Sequence, residues 1–553
     1  MVRHGEWWEL ERRLPAGLDY AFVIDGDGPF PDPRSPFQPN GVHAASRTVD
    51  HATFEWRDAG FRAPPLSSAV LYELHVGTFS PQGTFDGVAG KLDELVDLGV
   101  THLSLLPVNA FSGSRGWGYD GVQLYAPHVA YGGPDGLKRL VDACHRRGLA
   151  VILDVVYNHL GPEGNYLERF SPFYFTDRYH TPWGKAVNLD GAHSDEVRRF
   201  LCDNALGWLR DYHFDGLRID AIHAFLDTSA THLLEQLADE VDALEAELER
   251  PLVLIAESDL NDPRVIRPRE IGGYGIDAQW SDDLHHAIHA VLTGETAGYY
   301  GDFGSLADVA AALRRAFVYD GRHSRYRKRR HGRPADGLSG HRFLAYLQNH
   351  DQVGNRAIGD RIAHVTGPDR QKIGAALVLT SPFVPMIWQG EEWAATSPFH
   401  YFTDHGDPKL GEAVRDGRRR EFTAFGWDPE RIPDPQSPST FERSRLVWEE
   451  RERDPHRGVL EWYRELIRLR RAEPVLRDGR REDVEVAFHD DERWLTVARG
   501  PVTVCVSLGA GERRIPLSDS APRTIRLASK PGAHIEDGAI VVPGDAVAIL
   551  SPS

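Results

Sequence analysis

One rhythm constrains the fold of this chain more than any other feature. Between positions 69 and 392, short apolar runs alternate with stretches of helical spacing. The runs are AVLYELHVGTF, THLSLLPV, AVILDVVYNH, GLRIDA, PLVLIAES, IDAQW, FLAYLQNHD and FVPMIWQGEE. Between them lie segments such as GLKRLVDACHRRG. There Leu137, Leu140, Val141 and Cys144 recur at i, i+3, i+4 and i+7, and Gly148 closes the helix. Strands that alternate with helices build right-handed βαβ units on a parallel sheet. Eight such units over about 400 residues predict an α/β fold, a (β/α)8 TIM barrel with enlarged loops.

The flanks read differently. Residues 1–62 are turn-rich, with WWELERRLPAG and LDYAFVIDGDG alternating like two strands joined at a Pro-Gly turn. The Pro-rich PFPDPRSPFQPNG then crosses toward the barrel. These residues are expected to form a small β-sandwich-like module of the carbohydrate-binding type with an interdomain tail. The barrel domain is expected over 63–476, with a subdomain near 160–193 over its mouth. Short β-like runs, RWLTVAR, VTVCVSLG, RRIPL, RTIRLA and AIVVPGDAVAIL, predict a C-terminal β-sandwich over 477–553.

Composition excludes several function classes. A net charge of -19 argues against nucleic acid and anionic membrane surfaces as partners. The basic stretch RHSRYRKRRHGR, 322–333, reads as a solvated loop flanked by Gly rather than a polyanion patch, because no aromatic platform or nucleic-acid motif accompanies it. Cys144, Cys202 and Cys505 give neither a disulfide framework nor a metal pattern. No apolar window is long enough for a membrane span and MVRHGEWWEL lacks a signal-peptide run, so the expected compartment is the cytoplasm. Either a monomer or a homodimer is expected.

Catalytic residues of such a barrel lie at the C-terminal ends of its strands. Four runs end there in polar groups: DVVYNH, GLRIDAIH, LIAESD and QNHDQVGN. Each sets a carboxylate at the end of an apolar run, which costs several kcal/mol unless it is paired. Each has a structural alternative. Asp154 could be a lone buried Asp on backbone amides, Arg218 and Asp220 an ion pair, Glu257 a helix cap and Asp351 a turn residue. Together those alternatives require four coincidences at one rim. Arg218 and Asp220 are two apart in a strand, so they share a face while Leu217 and Ile219 share the other.

Several carboxylates around one cavity, with no phosphate loop and no metal spacing, suit glycoside hydrolysis or transfer without a cofactor. Arg218 would keep Asp220 ionised for attack on the anomeric carbon. Desolvation after VLIA would raise Glu257 toward the range of a general acid. Asp351 would bind sugar hydroxyls, and His159, His223 and His350 suit further hydroxyl contacts.

On DVVYNH, GLRIDAIH, the Glu of IAESD and NHD, in that order, the chain resembles the α-amylase clan of glycoside hydrolases. The resemblance implies Asp220 as nucleophile, Glu257 as acid/base and Asp351 as transition-state stabiliser. It places Asp154, His159, Arg218 and His350 in the sugar subsite left of the cut, with Tyr119 of WGYDG as the stacking tyrosine. Within the clan, DPRSPFQPNGVHAAS, IAESDLNDPRV, IDAQWSDDLHHAIH, LQNHDQVGNR and GEEW are most similar to the maltooligosyltrehalose trehalohydrolases. That similarity implies hydrolysis of the α-1,4 bond beside a terminal α,α-trehalose, with maltooligosyltrehalose and maltodextrin oligosaccharides as partners. It also implies retention of configuration, with catalytic carboxyls about 5–5.5 Å apart. Asp282, Asp283, His285 and His286 are then expected on the trehalose side. Gln352, Asn355 and Glu391 complete the expected substrate contacts. Such enzymes carry a full N-terminal sandwich, and this chain begins within its pattern at GEWWELERRLPAG, so a truncated module is expected.

His285 and His289, i and i+4 in WSDDLHHAIHAVLTGE, also invite a metal reading. Without HExxH it ranks below substrate contact and structural histidines, and no metal is expected. A glycogen branching enzyme or an α-amylase-type hydrolase shares all four regions. An inactive carbohydrate-binding relative would be expected to lack at least one of the three acids, and all three are present.

Overall fold

The computed structural model describes residues 1–5, 7–423, 427–517 and 522–552. Its centre is a closed parallel barrel. The strands are β1 (Leu71–Leu74), β2 (His102–Leu105), β3 (Ala150–Val155) and β4 (Gly216–Ile219). They continue as β5 (Val253–Ala256), β6 (Ala278–Trp280), β7 (Phe343–Tyr346) and β8 (Val384–Trp388). All eight fall inside the apolar runs. β8 pairs with β1 and closes the ring, Trp388 facing Glu73.

Helices surround the barrel. They include α1 (Gly133–His145), α2 (Ser194–Asp211), α3 (Leu233–Leu248) and α4 (Asp282–Thr293). They continue with α5 (Leu306–Arg315), α6 (Pro368–Leu379), α7 (Pro408–Thr423) and α8 (His456–Ala472). α1 buries Leu137, Leu140, Val141 and Cys144 as the spacing predicts. Strand parity then sorts the barrel residues. Leu217 and Ile219 join the outer core under the helices. Ile152, Ile255, Trp280, Leu344 and Met386 belong to a separate cluster within the ring. Arg218 sits over the ring of Trp280, 4.3 Å from its centroid, which places Arg218 on that inner face.

The floor of the barrel joins the C-terminal domain through buried arginines. Arg470 of α8 donates to the carbonyls of Leu379, Ser381 and Phe383 at 3.0, 2.9 and 2.7 Å. Arg499 donates to those of Thr380, Ser381 and Leu476 at 2.9, 2.8 and 3.1 Å. The carbonyls from Leu379 to Phe383 end α6 and lead into β8, where helix geometry leaves acceptors unpaired. Beyond them, a five-stranded and a three-stranded antiparallel sheet enclose Trp494, Cys505, Ile515 and Ile540, forming the expected sandwich.

The N-terminal strands pair differently from the predicted hairpin. Trp7–Glu9 pairs with Val2–His4, and Phe22–Ile24 with Asp27–Phe30. Asp19–Tyr20 pairs with Ser46–Arg47. Leu10, Leu14 and Leu18 between them are exposed, so no apolar face holds the two predicted strands together. Residues 160–193 hold a strand pair, Phe175–Thr181 with Gly184–Val187, whose turn carries Trp183. Among the described residues, no helix is long and apolar enough to cross a membrane.

Candidate active site

Backbone register assembles the site. Asp154 on β3 lies level with Arg218 on β4, so their inward side chains meet. Arg218 Nη1 donates to both oxygens of Asp154, at 2.8 and 2.7 Å, and to Asp220 Oδ1 at 2.7 Å. Its Nη2 lies 3.5 Å from Glu257 Oε2. Asn158 Nδ2 donates to Asp220 Oδ2 at 2.8 Å. The N–H of Ala221 donates to Glu257 Oε2 at 2.5 Å, and that of Ile222 to the Glu257 carbonyl at 3.1 Å. Ala221 reaches this position in a left-handed conformation, φ 42°, which a residue with a Cβ adopts only at a cost of order 1 kcal/mol.

A second chain of hydrogen bonds runs under the opposite wall. His350 Nδ1 donates to Glu73 at 2.7 Å, and its Nε2 lies 2.8 Å from the Tyr119 hydroxyl. That hydroxyl in turn donates to Asp154 Oδ2 at 2.6 Å. Burial opposes charge on His350, but Asp351 and Glu73 outweigh it and hold the imidazole up to about 9. It is therefore a cation at neutral pH. Both ring N–H groups donate, which fixes the direction of the chain from His350 through Tyr119 to Asp154.

Carboxylates outnumber cations here, and their proton affinities separate. Burial raises Asp154 to about 7 despite Arg218. Burial likewise raises Glu257, with Asp220 and Asp351 adding repulsion and Arg218 opposing them. Asp220 instead accepts two short hydrogen bonds, from Arg218 and Asn158. One carboxyl with a raised proton affinity beside one fixed by charged and amide donors is the arrangement of a general acid next to a nucleophile.

Two cavities open above these groups and share His223, Glu257, Asp351 and Asn355. The larger, about 520 Å³, is also lined by Tyr119, Asp120, His159, Trp183 and Asp220. The smaller, about 270 Å³, is lined on its far side by Asp259, Asp282, His286, Tyr299, Tyr326 and Arg327, with Gln352 on the near side. The result is one cleft with two lobes and Glu257 at their junction. Asp154, Arg218 and His350 lie beneath its floor as supports.

Three further expected contacts stand outside the cleft. Asp283 accepts from Asn261 Nδ2 and from the N–H groups of Val318 and Tyr319, at 2.8, 2.6 and 2.8 Å. His285 is fully buried, its Nδ1–H donating to the Leu347 carbonyl at 2.8 Å and its Nε2 3.0 Å from the Tyr300 hydroxyl. Glu391 is buried against the hydroxyl of Tyr463, 2.9 Å away. Helix spacing sent Asp283 and His285 into the protein, and Glu391 turns inward at the start of the short 3-10 turn after β8. His289 is also engaged, by Glu295 at 2.8 Å, so the i, i+4 histidine pair already has protein partners.

The sequence reading missed Trp183, Tyr299, Tyr326, Arg327 and also Arg418, which lines the larger lobe. The basic stretch 322–333 is more than a solvated loop. Its strands His323–Ser324 and Arg329–Arg330 pair, and the turn brings Tyr326 and Arg327 to the cleft, with Arg327 held on Asp259 at 2.8 Å. The aromatic residue inside that basic run was the available signal.

The comparisons with known proteins agree with this geometry. The model of the alpha-amylase catalytic domain matches residues 50–181. A malto-oligosyltrehalose trehalohydrolase from Arthrobacter ramosus is 53% identical over 92% of this chain and 88% of its own length. This chain belongs to the malto-oligosyltrehalose trehalohydrolase family. A relative of the same name from Rhizobium sp. is 49% identical over 99% of this chain and 91% of its own. A Salmonella typhimurium protein of known crystal structure, described as a candidate alpha amylase, superimposes with a TM-score of 0.89 at 37% identity. It covers 97% of this chain and 91% of its own.

Proposed function

We propose that this family member hydrolyses the α-1,4-glucosidic bond next to the terminal α,α-trehalose of maltooligosyltrehalose, releasing trehalose. Asp220 attacks the anomeric carbon as Glu257 gives its proton to the departing trehalose oxygen. The C–O bond to trehalose breaks and a glycosyl ester on Asp220 forms. Glu257, now ionised, takes a proton from water, which attacks the same carbon and releases the shortened oligosaccharide with retained configuration. Asp351 holds sugar hydroxyls as the ring flattens. Tyr119, His159, His223 and Trp183 receive the glycone, and Asp282, His286, Gln352 and Asn355 receive the trehalose side.

The carrying observation is the two-lobed cleft with Glu257, its proton affinity raised by burial, at its junction. Bond cleavage at that point leaves one product in each lobe. The smaller lobe suits a compact disaccharide. The division into 1–62, 63–476 and 477–553 follows the same reading, with the barrel as the catalytic unit.

The deciding experiment compares a maltooligosyltrehalose with the linear maltooligosaccharide of equal length. Free trehalose from the first, with little cleavage of the second, is the expected result. Equal cleavage, or chain transfer without trehalose, would move the protein to the amylase or branching activity.

A further inference from the structure

The two walls of the smaller lobe come from separate segments. Asp282 and His286 stand on α4 and Tyr299 follows it, while Asp351, Gln352 and Asn355 stand on the turn after β7. Covalent connection between the walls is indirect, since Thr293 and His350 are separated by a long stretch of chain. Near the barrel, His285 of α4 donates to the Leu347 carbonyl and Tyr346 of β7 to Asp282; at the far end of each segment a fork joins the walls. Arg356, next to Asn355, donates from both Nη atoms to the two oxygens of Glu295 at 2.8 Å each. His289 of α4 meets the same carboxylate at 2.8 Å. Arg356 Nε is engaged separately by Asp360 at 2.9 Å, which locks the plane of the guanidinium.

The near end of the second segment is tied elsewhere. His350 is fixed to Glu73 within the barrel, and Asn349 caps the turn by accepting from Asp351 and Gln352. Asn355, which donates to Asp351 at 3.2 Å, lies at the far end, one residue from the fork. A bidentate arginine–carboxylate pair fixes orientation as well as distance.

We propose that the Glu295–Arg356 fork is a specificity-positioning device that sets the width of the smaller lobe and so favours a trehalose terminus over a linear one. The inference rests on the function proposed above. Neither residue lines the cleft. Both act through Asn355 and Asp351 on one wall and through α4 on the other. A flexible linear chain adapts to a widened lobe, whereas a rigid 1,1-linked disaccharide loses its fit.

The test measures kcat/KM on a maltooligosyltrehalose and on the matched linear oligosaccharide for wild type, Glu295→Gln and Arg356→Lys, with folding followed by circular dichroism and thermal melting. Expected is a fall in the ratio of the two values by about tenfold, the effect of displacing one set of positioned contacts. Competitive inhibition by free trehalose should weaken in parallel. Equal losses on both substrates, an unchanged ratio, or failure of both variants to fold would overturn the inference and leave the fork a purely structural pair. Absence of a trehalose preference in the wild type itself would instead overturn the proposed function, and the fork's role with it.

Discussion

Arg218 and Arg470 are both buried arginines at ends of the same barrel, and their surroundings are opposite. Arg470 meets three carbonyls and no carboxylate. Burial, with repulsion from Arg499, lowers its proton affinity to about 9. Arg218 meets Asp154, Asp220 and Glu257, which raise its own affinity well above the usual value. Its Nε and Nη2 still lack hydrogen-bond partners. The floor uses a cation to satisfy backbone acceptors that the fold leaves over. The mouth uses one to hold together carboxylates that repel each other. Such a cluster is a poor structural device, because breaking even a well-made buried pair is costly and replacing it with apolar groups is often neutral or better. Its presence at the mouth points to chemistry.

The comparison breaks most easily through activity. Asp220→Asn is expected to abolish trehalose release while the melting temperature holds or rises, since one repelling charge leaves the mouth. Glu257→Gln should cost about 10²–10⁴-fold in kcat, again with the fold intact. The basic limb of the pH–rate profile follows from the same group. Activity requires protonated Glu257, so it declines as pH rises through that raised value. A loss of fold in either variant would erase the distinction between mouth and floor. Arg470→Met should do the reverse. Stability measured by denaturant should drop by roughly 3 kcal/mol or more as carbonyls lose their donors, while kcat per folded molecule stays the same.

A more gradual effect, spread over several pH units, concerns Glu391. Burial raises its folded value to about 8, against an ordinary carboxyl of 4.5. Above 4.5 the folded chain holds a proton that the unfolded chain has released. Stability therefore falls as pH rises from that point to about 8, by up to roughly 1.4 kcal/mol per pH unit. Glu391→Gln should flatten this slope in melts taken across the range, and an unchanged slope would place the titration elsewhere. The smallest effect is expected at Trp183, which is 46% exposed beside His159 and His223. Trp183→Ala should raise KM about three- to tenfold through lost stacking and leave kcat unchanged.

Much of the barrel was legible because its strands are short, mostly apolar and regularly spaced. The catalytic acids were legible because a carboxylate ending such a run is rare. The second lobe was only half legible. Asp282 and His286 face the cleft from α4, but Asp283 and His285, one residue along, turn inward, and spacing alone does not say which helical face meets a cavity. Tyr326 and Arg327 were hidden because their turn returns to the barrel from a basic stretch whose contacts are long-range. The N-terminal hairpin was misjudged because alternation without burial does not make a pair of strands adhere.

Ala221 carries one last consequence. Its N–H holds the side chain of Glu257, Ile222 holds the Glu257 carbonyl, and the Glu257 N–H donates to Ile219 at 3.0 Å. Acid and nucleophile are thus spaced by the main chain of two neighbouring strands and not by the side chains that line the cleft. Mutations that reshape either lobe leave that ruler untouched. A lineage can therefore exchange one sugar for another around a reaction centre whose dimensions it inherits unchanged.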